Sequence, residues 1–155
     1  MNKIELIGKV PIFKGLPEED IKKLAEIADE KAYVAGSQIF SEGSDGDALY
    51  IVKSGTVRVI KRGQEEDEEI SRMGPGQHFG EMAIIENDKR SATIDAQENT
   101  ELIRLKRDEF ENLLSQDDAL GYRVYKALAR YLCMRLRQTT TDLSFIRGVA
   151  KKRGR

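Results

Sequence analysis

Residues 78–93 read HFGEMAIIENDKRSAT, and this stretch carries more information about the fold than any other part of the chain. Gly80 permits a tight turn, and residues 81–85 can then form a single helical turn. The first backbone N–H groups of such a turn have no partner within it, and its dipole adds partial positive charge. The stretch therefore favours a strand, a tight turn and a seat for a phosphate group.

Two charged side chains in this stretch extend the prediction. Arg90 lies nine residues after Glu81 and directly precedes an alternating strand pattern at residues 92–96. A loop of this length can fold back, so that the Arg90 guanidinium pairs with the same anion. Ionised Glu81 only accepts hydrogen bonds, so it suits a sugar hydroxyl beside the phosphate. Together the two residues indicate a nucleotide site.

The surrounding region, from about residue 32 to residue 105, reads as β structure. Short apolar and β-branched runs alternate with turn residues: Gly43–Asp47 precedes the apolar run 49–52, and Ser54-Gly55 precedes the alternating run 56–60. Several short strands at regular spacing are typical of a jelly-roll sandwich or barrel. Upstream, Pro17 and the acids that follow it mark the start of a short amphipathic helix.

The region after residue 106 reads as helical. A short helix is expected to end near residue 116, and a long helix to cover residues 117–147. Apolar residues recur along the long helix at steps of three and four: Tyr125, Leu128, Leu132, Leu136, Thr139, Leu143 and Ile146. A helix that extends beyond a small β domain must bury its apolar face, and a second copy of the chain is the simplest partner. The pattern predicts a homodimer through residues 118–146.

These observations define a fold class and a division of the chain. The fold is expected to be mainly β with flanking helices, in the form of a jelly roll followed by a long helix. Residues 1–116 are expected to form the β roll with its N-terminal helix and the short helix after it. Residues 117–147 form the long dimerisation helix, and residues 148–155 a basic tail.

The chain resembles the cyclic nucleotide-binding domains in two separate motifs. The residues FGEMA at 79–83, followed by RSAT at 90–93, resemble the family's phosphate-binding cassette, F-G-E-hydrophobic-A, a short spacer and R-small-A. Upstream, EGSDGDALYIV at 42–52 with Gly55 resembles the family's turn and strand. The resemblance covers about residues 10–146. The family often has a proline before the arginine, where this chain has Lys89.

The resemblance implies a set of site residues. In the family, the residue at Glu81 takes the ribose 2′-hydroxyl and the residue at Arg90 takes the exocyclic phosphate oxygens. The implied cassette residues are Phe79, Gly80, Glu81, Met82, Ala83, Arg90, Ser91 and Ala92. The implied contacts to the base are Ile70 on the β side and Arg135, Thr139 and Thr140 on the long helix, with Thr140 contributed across the dimer.

The resemblance also favours one nucleotide. In the kinase branch of the family, threonine directly after the arginine favours cyclic GMP and alanine favours cyclic AMP. Ser91 is neither, but serine at this position resembles the catabolite activator branch, which binds cyclic AMP. The expected ligand is therefore cyclic AMP (cAMP), with cyclic GMP (cGMP) as the less favoured choice, and no cofactor is expected.

Composition excludes several classes of function. The 155 residues include one histidine and one cysteine, too few for a zinc site built from those ligands, and no P-loop motif occurs. The net charge of −1 gives no general attraction to nucleic acid or anionic membrane. No signal peptide or membrane-spanning segment is recognisable, which favours the cytoplasm. A phosphodiesterase would need clustered metal ligands, so an enzyme is not expected.

The sequence therefore predicts a cyclic nucleotide sensor that transmits binding through its long helix. Two alternatives stay open: a ligand-binding fragment of a larger transcription factor or regulated effector, and a degenerate dimerisation domain that binds no nucleotide. Too few residues follow Ile146 for a helix-turn-helix domain, so no DNA-binding domain is expected in this chain. His78 is expected at the surface of a strand end, and Cys133 within a helix-packing face.

Overall fold

The computed structural model describes residues 1–154 and shows two antiparallel sheets with helices at both ends of the chain. The strands are β1 (Asp29–Tyr33), β2 (Gln38–Phe40), β3 (Ala48–Ser54), β4 (Val57–Lys61), β5 (Glu68–Met73), β6 (His78–Phe79), β7 (Thr93–Ala96) and β8 (Thr100–Lys106). The helices are α1 (Lys3–Lys9), α2 (Glu18–Ile27), α3 (Glu81–Ile85), α4 (Arg107–Ser115) and α5 (Asp118–Arg153), with a 3₁₀ turn at Pro11–Phe13.

The two sheets face each other with the strand orders β1-β8-β3-β6 and β2-β7-β4-β5. All pairs are antiparallel, as the short alternating runs predict. The predicted fold class, a β jelly roll with flanking helices and a long C-terminal helix, is confirmed. Within residues 1–154, no helix has the length and apolarity needed to cross a membrane.

Strand β3 separates two apolar cores because both of its faces are buried. Leu49 and Ile51 pack against the helices, whereas Tyr50 and Val52 point into the space between the sheets. Successive side chains of a strand point to opposite faces, so one apolar run supplies both layers. The inner layer forms one wall of the cavity described below.

The first half of α5 packs against the rest of the fold, and the second half does not. Asp117 caps the helix by accepting a hydrogen bond from the Leu120 N–H at 3.1 Å. Arg123 donates two hydrogen bonds, of 2.6 and 2.9 Å, to the buried carboxylate of Asp20 on α2. Beyond Tyr131, no residue of α5 up to Arg153 is buried. The 36-residue helix is about 54 Å long, and its second half is exposed to solvent.

The end of α5 differs from the prediction. Residues 148–153, predicted as a tail, continue the helix to Arg153, and Arg155 lies outside the described residues. Gly148, the one glycine of this segment, costs the helix only about 1 kcal/mol relative to alanine, and no proline interrupts the segment. The helix ends where the Gly154 N–H donates to the Ala150 carbonyl.

Candidate functional site: a cavity between the β roll and α5

A cavity of about 550 Å³ lies between the second sheet, α3 and the middle of α5. This volume is within the range of small-ligand sites, roughly 300–1,000 Å³. Apolar side chains from β2, β4, β5 and β7 form one wall: Phe40, Val59, Met73 and Ile94. The opposite side is formed by four residues of α5: Tyr131, Met134, Arg135 and Gln138.

The cassette turn lies at one end of this cavity. Gly80 is the N-cap of α3 and has a φ of +83°, a conformation that strongly favours glycine. A Cβ atom at Gly80 would lie 2.6 Å from Nη1 of Arg90 and 2.9 Å from the Ala48 carbonyl oxygen. Glycine is therefore needed at position 80 for two reasons: its positive φ forms the turn, and the missing Cβ leaves room for Arg90. No side chain caps α3, which leaves its first N–H groups without a side-chain acceptor.

Arg90 is a buried cation whose hydrogen bonds are incomplete. Its residue is 7% exposed, and its Nη2 donates to the Ala48 carbonyl at 3.0 Å and lies 3.7 Å from Oδ1 of Asp47. The guanidinium carbon is 4.0 Å from the centre of the Phe40 ring. Its Nε is buried and has no hydrogen-bond partner. Burial lowers the pKa of Arg90, because desolvation disfavours the charged form.

Glu81 lies at the start of α3, on the cavity wall nearest α5. Its Oε2 is 3.6 Å from Nδ1 of His78, and the His78 ring makes an edge contact with Tyr131 of α5. Burial by itself would raise the pKa of Glu81. The His78 imidazole, a backbone N–H and the positive charge of Arg135 outweigh that effect, so the pKa of Glu81 lies below its ordinary value. Glu81 is thus an ionised hydrogen-bond acceptor at neutral pH.

Tyr131 connects this carboxylate to the long helix. Burial and the adjacent Glu81 charge raise the pKa of the Tyr131 hydroxyl, so the side chain is a neutral hydrogen-bond donor at neutral pH. Its ring covers His78, whose Nδ1 has no hydrogen-bond partner. One turn further along α5, Arg135 also lines the cavity. The cassette and α5 therefore meet at Glu81.

The structure brings most of the residues singled out in the sequence to this one cavity. The cassette residues Phe79, Gly80, Glu81, Met82, Ala83, Arg90, Ser91 and Ala92 all line it, as does Arg135. Ile70 is 54% exposed on β5 and is not among the lining residues. Thr139 and Thr140 are not among them either, and their hydroxyls donate to the Arg135 and Leu136 carbonyls at 3.0 and 2.9 Å.

Several features of the site have no counterpart in the sequence pattern. The His78 side chain is 6% exposed and lies within the site, so its expected place at the surface is wrong. Cys133 is exposed, not packed in a helix face. Phe40, Tyr131 and Gln138 line the cavity without a local sequence signal, because they come from two elements, β2 and α5, that only the fold brings together.

Comparison with known proteins agrees with this geometry. The family model described as the cyclic nucleotide-binding domain matches residues 30–117. A cGMP-dependent protein kinase of Caenorhabditis briggsae, egl-4, is 36% identical over 120 residues, which are 76% of this chain and 16% of the kinase. The cyclic AMP receptor protein of Thermus thermophilus is 34% identical over 139 residues, which are 88% of this chain and 62% of that protein.

Solved structures agree with the sequence relatives. The Thermus thermophilus catabolite activator protein superposes with a TM-score of 0.74 at 33% identity, covering 88% of this chain and 62% of that one. The regulatory domain of Toxoplasma gondii PKA, solved with cAMP, gives a TM-score of 0.68 at 31% identity, covering 77% and 45%. The chain thus spans less than two thirds of the relatives described here. It belongs to the cyclic nucleotide-binding domain family.

Proposed function

We propose that this chain is a cAMP sensor, in which the cyclic phosphate binds at Arg90 and the ribose at Glu81. The observation that carries the proposal is the Arg90 guanidinium, which lines the cavity, is buried, and has an Nε without a partner. A buried cation with an unused donor is unfavourable unless an anion completes its hydrogen bonds. A cyclic phosphate between Arg90 and the start of α3 would do so.

The ribose is assigned to Glu81 on charge and position. An ionised carboxylate beside the phosphate seat repels the phosphate and accepts a hydrogen bond from a neutral hydroxyl. Its lowered pKa keeps Glu81 ionised at neutral pH. A carboxylate accepting from a sugar hydroxyl contributes more than a neutral pair, roughly 1.5–3 kcal/mol.

The Glu81 assignment predicts a specific double-mutant cycle. The wild type should bind 2′-deoxy-cAMP at least about tenfold more weakly than cAMP, because that analogue lacks the hydroxyl. Glu81→Gln should bind the two nucleotides within about threefold of each other, since its neutral amide oxygen accepts a weaker hydrogen bond from the hydroxyl than the carboxylate does. Titration calorimetry measures all four affinities. Glu86→Gln, an exposed carboxylate at the end of α3, is the matched control and should behave as the wild type. Undiminished discrimination in Glu81→Gln would contradict the assignment.

The choice of cAMP rests on two supports. Ser91, beside Arg90 on the cavity wall, is neither the threonine nor the alanine of the kinase branch, and serine at this position resembles the catabolite activator branch, which binds cAMP. Two of the relatives, the Thermus cyclic AMP receptor protein and the Toxoplasma domain solved with cAMP, are linked to cAMP by name. The match to the cGMP-dependent kinase keeps cGMP as the second candidate.

We also propose a homodimer through the exposed second half of α5. Apolar residues and one threonine, Thr139, follow a 4-3 spacing along one face, at positions 125, 129, 132, 136, 139, 143, 146 and 150. Leu136, Leu143 and Ile146 in this stripe are 68%, 48% and 62% exposed. A stripe of this period is the seam of a two-stranded coiled coil. Asp142 and Arg147 flank it five residues apart, the spacing of cross-helix ion pairs in a parallel coiled coil.

In that dimer, Thr139 lies in the seam and Thr140 beside it. Both are outside the cavity of their own chain, so their predicted base contacts require a second copy or a movement of α5. Ile70 lies at the open edge of the second sheet and keeps its predicted role only if the base reaches that edge.

Binding would be transmitted through the contact between Glu81 and α5. A nucleotide at Glu81 adds contacts with Tyr131 and Arg135, and so favours the arrangement of α5 that closes over the cavity. Hydrogen exchange tests this directly. We expect cAMP at saturation to slow amide exchange in residues 118–146, with no change in strand β1, none of whose residues lines the cavity. Unaltered exchange in α5 at saturation would exclude transmission by this helix.

A further inference from the structure

We propose that His78 positions Glu81 for the ribose, by donating a hydrogen bond from its Nδ1–H to one carboxylate oxygen and so leaving the other oxygen for the 2′-hydroxyl. The inference rests on the proposed function, because it explains how the carboxylate assigned to the ribose is held in place. His78 is a positioning residue in this role, since it acts on the nucleotide through Glu81.

The Nδ1 atom of His78 is a buried polar atom without a partner. The side chain is 6% exposed, and within residues 1–154 no group forms a hydrogen bond with Nδ1. Oε2 of Glu81 lies 3.6 Å from it. This distance is roughly half an ångström longer than a hydrogen bond, as is common in a site without its ligand. Since a buried N–H without a partner is unfavourable, we expect the contact to close when a nucleotide restrains Glu81.

His78 is the fixed group among those around the Glu81 carboxylate. It lies on β6, pairs with Ile51 of β3, and has the Tyr131 ring against the edge of its imidazole. Tyr131 and Arg135, whose charges are coupled to that of the carboxylate, belong to α5, the helix whose arrangement is proposed to respond to ligand. His78 can therefore orient Glu81 before α5 closes, which lowers the ordering cost of binding.

His78 also favours the ionised form of Glu81. Burial by itself would raise the pKa of Glu81, and the His78 imidazole is the foremost of the groups that hold this pKa below its ordinary value. An ionised carboxylate accepts a stronger hydrogen bond from a hydroxyl than a neutral acid does. The orientation and the charge of the carboxylate thus both depend on the same imidazole.

Two substitutions separate the hydrogen-bond donor from the packing of the ring. His78→Phe keeps a ring against Tyr131 but has no donor, and should lower the ratio of cAMP to 2′-deoxy-cAMP affinity about three- to tenfold. His78→Asn loses the ring but places an amide N–H where Nδ1 stood, and should keep the ratio within about twofold of the wild type. The ratio isolates the hydroxyl contact, because the two nucleotides share every other group.

Two further variants serve as controls. His78→Gln carries the same amide as asparagine, but one carbon further out, near the position of Nε2, and should lower the ratio as His78→Phe does. In the Glu81→Gln background, His78→Phe should change the ratio no further, because its effect is exerted through the carboxylate. An imidazole that only packs would instead weaken the binding of both nucleotides equally and leave the ratio as it is in the wild type.

The wild type provides a second test that does not depend on the folding of any variant. His78 is the one histidine of the chain, so its two ring nitrogens are identified in the ¹⁵N NMR spectrum of the untagged protein without mutagenesis. Nδ1 should carry a proton in the cAMP complex, and its signal should shift more with cAMP than with 2′-deoxy-cAMP. A complex in which Nδ1 carries no proton overturns the inference.

Titration calorimetry of the full chain measures the affinities. A ratio in His78→Phe within about twofold of the wild type, or a loss in His78→Asn as large as that in His78→Phe, overturns the inference while cAMP binding keeps the sensor function intact. A wild type that does not distinguish the two nucleotides removes the ribose assignment and this inference with it. A wild type that binds neither nucleotide removes the proposed function as well, so the failures are distinguishable.

Discussion

Arg90→Leu is expected to abolish measurable cAMP binding, with an affinity loss of at least about 100-fold. A guanidinium that pairs with a phosphate through two charge-assisted hydrogen bonds contributes roughly 1.5–3 kcal/mol for each, and 1.4 kcal/mol corresponds to a factor of ten. Arg90 is the cation at the cassette end that is both buried and short of one partner. Calorimetric titration with cAMP measures the loss.

The same substitution should leave the ligand-free protein at least as stable as the wild type. Leucine removes a desolvated charge, whose lowered pKa reflects the cost of burial, and keeps apolar contact with Phe40. The melting temperature of Arg90→Leu without ligand should therefore be equal to or above that of the wild type. Arg72→Leu, which removes an exposed arginine paired with Glu69, is the matched control and should retain binding. Binding by Arg90→Leu within threefold of the wild type would contradict the phosphate assignment.

Leu136→Glu is expected to convert the protein from a dimer to a monomer. Leu136 is 68% exposed in the single chain and lies in the middle of the apolar stripe of α5. In a coiled coil it would face its own copy, so two glutamates would be buried against each other in an apolar seam. Light scattering after gel filtration should give twice the chain mass of 17.5 kDa for the wild type and the single mass for the variant.

Arg137→Glu is the control for this experiment, because residue 137 is the next position on the helix and points away from the stripe. It makes the same change of side chain to glutamate but should remain a dimer. A wild type of 17.5 kDa at all concentrations tested would refute the seam, and so would a dimer that survives Leu136→Glu.

Local patterns in the sequence were sufficient for the cassette and the long helix. Gly80, Glu81 and Arg90 lie within eleven residues of one another, and their spacing is set by one turn and one loop. The strands were recognisable because short alternating runs are separated by turn residues. The 4-3 repeat of α5 is equally local. Each of these predictions required only the conformation of a short segment.

The parts that the sequence did not predict depend on contacts between distant elements. His78 is buried because Tyr131, 53 positions later, packs across its ring. Gln138 enters the cavity because α5 is held at a particular angle by Arg123 and Asp20, which belongs to α2. Thr139 and Thr140 directly follow Gln138, which lines the cavity, yet steps of about 100° and 200° around the helix turn them away from it.

The side-chain signals of arginine in a ¹H–¹⁵N NMR spectrum test the central claim most directly. The Nε–H signal of Arg90 is the one that disappears in Arg90→Lys, and its Nε has no hydrogen-bond partner in the free protein. On titration with cAMP, this signal should shift in a saturable manner that follows the calorimetric affinity, and linear AMP at the same concentration should have little effect. If cAMP at saturation leaves the Arg90 signal unchanged, Arg90 does not bind the cyclic phosphate and the account of the site is wrong.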